Sequence, residues 1–195
     1  MTVSDILEHW ATIYSPIGHK PGTDKLEDQR FFRIRYIDME NIFDRNFNVI
    51  RTPCMLQSIT STGKVNDPRH AVVAHQVWFL AKVKDTSQTL GRFDGMSLQR
   101  TSDDLITICE DFIAYILQLR KTQICPVTNI SFKGDPVTAQ ELACIDIDTF
   151  DYGVVPDLYK GQFLIAGVSW EAVKPIFNFA CGANGKYILP DTEQQ

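Results

Sequence analysis

The sequence predicts an α+β fold: a mixed, mostly antiparallel sheet flanked by an N-terminal helix and a long central helix. Three observations carry that expectation. Apolar residues recur at helical spacing over Val3–Tyr14 and again over Leu105–Leu119. Runs rich in β-branched and aromatic residues lie between and after these segments, the strongest over Ala71–Lys84. The resulting order of helix, strands, long helix and strands is that of an α+β domain.

Val3, Ile6, Leu7, Trp10, Ala11 and Tyr14 form the stripe of the first helix, with Thr2 and Asp5 as its capping box and Pro16 and Gly18 as its stop. The polar stretch 18–29 follows, long enough to be mobile or to serve as an assembly contact. A strand is expected over Phe31–Ile37, a short helix over Asp38–Arg45, and a second strand over Cys54–Thr60 that ends in a turn at Gly63, continued by Asn66, Asp67 and Pro68. In the Ala71–Lys84 strand, Val73, Val77, Phe79, Ala81 and Val83 share one face and Val72, Ala74, Trp78 and Leu80 the other. Apolar residues on both faces place that strand in the interior of the sheet.

A loop is expected over Asp85–Arg100, then a helix opened by a capping box of Thr101 and Asp104. Leu105, Ile108, Cys109, Phe112, Ile116 and Leu119 form its core stripe, with Asp103, Asp104, Glu110 and Asp111 toward solvent or the helix start. From about 123 to 160, prolines interrupt short apolar runs; the stretch reads as an irregular insertion within a single domain spanning 1–195, with a short helix or strand around Ala139–Ile147. Strand character returns over Gln162–Pro175 and Lys186–Leu189, with Asn184-Gly185 as a hairpin turn.

A chain of 195 residues buries about 70% of its unfolded surface and needs no metal or disulfide to fold. The formal charge of −5, without a polybasic tract, disfavours sequence-specific nucleic-acid binding and anionic-lipid binding. Five scattered cysteines without a CxxC pair read as buried free thiols in a reducing compartment. No signal peptide and no run near the roughly 20 apolar residues of a membrane span is found, so folding in the cytosol is expected.

Catalytic motifs are missing. His9, His19, His70 and His75 have no metal-ligand spacing, and His75 reads as a core or interface histidine. Neither nucleotide-binding glycine fingerprint occurs, nor a GxSxG elbow. Asp146, Asp148, Asp151 and Asp157 fail the calcium-loop pattern, because Phe150 stands where an oxygen ligand belongs, and read as a solvated acidic loop. No catalytic, metal or cofactor residue is therefore assigned. The informative residues are apolar ones where a monomer would not place them: Leu90, Phe93, Met96 and Leu98, with Trp78 and Trp170, form the candidate assembly interface. The alternative is that they close the core over the sheet.

Five segments, in order, carry a resemblance: ILEHWATIY, RFFRIRYIDMENIF, TPCMLQS, VWFLAKVKD leading into DDLITICEDFIAYI, and GVSWEAVKPIFNFACGANGKYIL. Together they resemble tail terminator or tail completion (neck) proteins of phages and phage-like elements of Bacteroidota; the stretch 123–160 departs from that pattern. The resemblance implies a mixed sheet flanked by helices, closed into a ring, commonly a hexamer, that caps the tail tube and docks it to the neck. It implies partners in further copies of the chain and in tail tube, sheath or neck proteins, and a place in the virion after assembly in the host cytoplasm. DNA would pass through an acidic lumen without being bound. Two rivals are a neck, sheath-capping or baseplate adaptor subunit, and an enzyme or small-ligand binding domain.

Overall fold

Val3, Ile6, Leu7, Trp10 and Ala11 are all buried along one side of the helix α1 (Val3–Ile13), the period the sequence set. The computed structural model describes residues 3–35, 38, 49–58, 63–67, 70–83, 95–122, 124–125, 131, 144–154 and 163–175. In chain order the further elements are β1 (Phe31–Ile34), β2 (Cys54–Ser58), β3 (Gly63–Asp67), β4 (His70–Lys82), α2 (Gly95–Thr122), β5 (Cys144–Val154) and β6 (Phe163–Pro175).

The described strands form one six-stranded sheet, ordered β1-β2-β4-β6-β5, with β3 also paired to β4. The β1–β2 pair is parallel and every other pair antiparallel, so the sheet is mixed and mostly antiparallel, and the chain has the α+β class its pattern predicts. β4 lies inside the sheet. It registers with β6 from His70 opposite Pro175 to Lys82 opposite Phe163.

The two faces of β4 bury separate clusters, as its alternation requires. Val77, Phe79, Ala81 and Val83 join α1 and the α2 stripe of Leu105, Ile108, Cys109, Phe112, Ile116 and Leu119. Trp78 and Leu80 join Ile34, Ile50, Leu56, Phe163 and Ile165 on the reverse side. Both helices thus pack on one face. Trp10 sits at their junction with β4, its ring 5.0 Å from Phe112 and 5.8 Å from Phe79.

Three expectations are corrected. Gly63–Asp67 is the strand β3, not a turn. β2 reaches only Val77–Leu80 of β4, and β3 fills the ladder opposite Ala71–Val73, where bare N–H and C=O groups would otherwise remain. The long helix begins at Gly95, ahead of the Thr101 cap, so 95–100 is not loop. Leu98 stands seven residues before Leu105 and packs on the same core cluster, so tertiary contact overrides the local cap signal.

Within 123–160, where a short helix or strand is expected around Ala139–Ile147, Cys144–Val154 is a strand with two register shifts against β6, and Asp146, Asp148 and Asp151 lie on it rather than on a loop. Aspartates and Gly153 disguise it in sequence; the open side of β6 supplies its ladder. Segment 18–29 is hydrogen-bonded to its surroundings. Gly18 adopts a positive φ of 59°, which turns the chain so that the His19 N–H reaches the Ala11 carbonyl at 3.0 Å. The Arg30 guanidinium donates to the Ile17 carbonyl at 2.8 Å, and the Gln29 side chain to the Thr23 carbonyl at 2.7 Å. Thr2, the bulk of the 38–45 helix and the 184–189 hairpin lie outside the described residues.

Candidate functional site

The structure separates the residues expected at an assembly interface. Trp78 is 4% exposed and Trp170 2% exposed, each inside the subunit's own core. Two-sided burial of β4 and β6 consumes these indoles, which corrects their expected place on a partner surface. Leu98 is half-buried against the α1–α2 cluster. Met96 lies in the first turn of α2, and Leu90 and Phe93 lie outside the described residues. The described large apolar side chains that do face solvent are Val49 and Leu117, at 47% and 46% exposure.

Sequence reasoning missed a polar constellation between α1, segment 18–29 and β1. A surface cleft of about 440 Å³ opens there, lined by Glu8, His19, Thr23, Phe31 and Arg33 among others. His19 is 6% exposed, the buried polar side chain among the described residues. Its Nδ1 accepts the Arg30 backbone N–H at 3.1 Å, and its Nε2 lies 3.4 Å from Glu8 Oε1. A backbone amide can only donate, so the neutral ring carries its proton on Nε2 and donates it to Glu8. Arg33 donates to Glu8 Oε2 at 2.8 Å, and its guanidinium lies 5.7 Å from the Phe31 ring centre. On the far rim, Lys20 meets Asp28 at 3.1 Å and holds that carboxyl below the usual carboxylate range. The residues come from three chain segments with no common spacing, so no motif could have announced them.

Compared with models of known protein families and with curated proteins, the chain matches none. Its chemistry is therefore read from geometry. In the cleft, both ring nitrogens of His19 are engaged and the cations are matched to carboxylates. That arrangement ties a loop to a helix; a general base would need a nitrogen turned to substrate.

A second cluster lies at the end of α2. The buried Cys125 Sγ is 3.7 Å from His9 Nε2, and the Tyr115 hydroxyl donates toward it at 3.8 Å. Burial pushes the Tyr115 hydroxyl far up, so it stays a donor. On the other face, Lys82 reaches across to donate to the Ile50 carbonyl at 2.8 Å, and burial lowers its pKa. Among the described residues no group of three or more His, Cys, Asp or Glu could hold a metal ion, and no helix is long and apolar enough to cross a membrane.

Proposed function

We propose that this chain is a structural assembly subunit, a tail terminator-like ring protein that caps the tail tube and docks it to the neck of a phage or contractile injection particle. The five ordered segments that resemble such proteins support the reading, as does the sheet flanked by helices. The observation that carries it furthest is the inequality of the two sheet ends. At one end stands β1, a four-residue strand paired in parallel; at the other stands β5, an eleven-residue strand paired antiparallel. Among the described residues each pairs on one side only.

Sheet edges are templates for another chain. Joining unlike ends is a head-to-tail contact, which closes a ring when the rotation per subunit allows. Joining β5 to β5 would instead give a two-fold dimer. The binding energy is then spent on surfaces and no substrate bond is altered. Partners under this reading are further copies of the chain, as a hexameric ring, and tube, sheath or neck proteins.

Light scattering with electron microscopy of the purified chain, alone and with tube protein, tests it. Closed rings of one stoichiometry are the expected result. A monomer at every concentration and with every tail component would overturn the proposal; a two-fold dimer would replace the ring with the isologous arrangement.

A further inference from the structure

His19 occupies an unusual position for an ionisable group. It is almost fully buried, yet both its nitrogens bond to elements it does not belong to: Nδ1 to the first residue beyond the loop, Arg30, and Nε2 to α1 through Glu8. Its own N–H is held by Ala11, so the backbone at 19 is pinned while the ring spans the two ends of the 20–30 excursion. The ring also lies 6.0 Å from Phe31 at the start of β1.

We infer that His19 is a proton-operated latch on segment 20–30. In the neutral ring, Nδ1 offers a lone pair to the Arg30 N–H. A proton taken from solvent occupies that lone pair and turns Nδ1 into a donor. Two donors then face each other and the bond to Arg30 is lost. The same proton makes the Nε2–H···Glu8 contact charge-assisted. Acid therefore trades the anchor on Arg30, just ahead of β1, for a stronger tie to α1, and the ring follows Glu8 away from Arg30.

Every charged group around the ring bears on this exchange. From α1, Glu8 faces Nε2, and Asp5 lies 3.8 Å from the same Arg33 guanidinium that holds Glu8. From β1, Arg33 shares the Glu8 carboxylate and opposes a second positive charge. From the loop, Lys20 and Asp24 line the cleft, Lys20 being matched to Asp28. The Arg30 guanidinium is turned toward the Pro16 and Ile17 carbonyls instead. Carboxylates thus draw the ring toward α1, and no acceptor replaces Nδ1 for the Arg30 N–H within these contacts.

The opening is local. The Arg30 carbonyl still accepts the Met55 N–H at 2.8 Å, so β1 keeps its place beside β2 while the loop side of Arg30 is released. The consequence is a cleft whose wall at 20–30 loosens in acid, a device independent of any assembly role.

Amide hydrogen exchange on the full chain reads the latch directly. As pH is lowered across the range in which the chain stays folded, protection at Arg30 should fall about tenfold further than protection at Met55, after correction for intrinsic rates. His19→Gln keeps one acceptor and one donor but has no titratable nitrogen, so its Arg30 protection should not change with pH. Equal behaviour of Arg30 and Met55 in the parent chain would overturn the inference, as would an unchanged pH response in H19Q. Should H19Q fail to fold, histidine-selective nitrogen NMR of the parent keeps the question decidable. An Nε2–H tautomer at high pH, converting as the Arg30 amide loses its hydrogen-bonded shift, is expected; an Nδ1–H tautomer sinks the latch.

Discussion

Trp170 and His75 face each other across the β4–β6 ladder, their rings 5.2 Å apart and inclined by only 25°. The indole also lies 6.0 Å from Phe112 of α2, so one side chain joins both central strands to the long helix. Trp170→Ala should therefore cost about 3–5 kcal/mol, the range for truncating a buried aromatic. Urea titration followed by circular dichroism checks this. A loss within experimental error would mean the indole is not part of the core.

A smaller contact ties the residue after α1 to α2. The Tyr14 hydroxyl donates to Asp111 Oδ2 at 2.7 Å while its ring stacks on Trp10 at 4.4 Å. Burial, then the Asp111 bond, pushes the Tyr14 hydroxyl well above its ordinary range, so it remains a donor throughout the working pH range. Tyr14→Phe keeps the stack and removes one hydrogen bond, for an expected loss of about 1 kcal/mol. Asp111→Ala should cost a similar amount, and the double variant little more than either, as a double-mutant cycle would record.

Legibility in the sequence tracked how strongly each residue's own side chain dictated its surroundings. The faces of β4 were readable because Val77, Phe79 and Ala81 alternate with Trp78 and Leu80, and both sets are buried as alternation demands. β3 and the extent of β5 beyond Ile147 were not, because Lys64, Asn66, Asp148 and Asp151 are poor strand formers and their strands exist through ladders offered by β4 and β6. The His19 constellation was illegible for a different reason. Glu8, Arg30 and Arg33 meet it through the path of a loop, and loop paths have no period. The same limit applied to Trp170, where an aromatic residue reads alike whether it faces a core or a partner.

Alkali should act through Cys54, which is fully buried and whose thiol is pushed up to about 12 by desolvation, against the pull of Lys82 and Arg30. The folded value lies above the ordinary 9.0, so the stability gained by keeping the thiol neutral is complete below pH 9 and is lost as pH rises toward 12. Denaturation midpoints should fall across that window. Cys54→Val should fall less steeply, with Tyr14 and Tyr115 supplying the remaining slope because their hydroxyls are also raised. Identical slopes in both proteins would remove Cys54 from the account.

The assembly reading can be divided from the folding of the subunit by three acidic substitutions. Trp78→Glu places a charge among the buried apolar side chains of Ile34, Leu56 and Phe163, so the chain should fail to fold. Phe93→Glu tests the segment expected from the sequence to add to the sheet-edge contact, and should leave thermal unfolding of the chain intact while dissolving the proposed rings. Leu117→Glu alters an outward side chain of α2, 46% exposed, and should shift stability by no more than about 0.5 kcal/mol. If rings survive Phe93→Glu but not Leu117→Glu, the contact belongs to the outer side of α2. If both variants assemble as the parent does, neither side chain is in the joint, and the proposed edge-to-edge contact of β1 with β5 carries assembly without them.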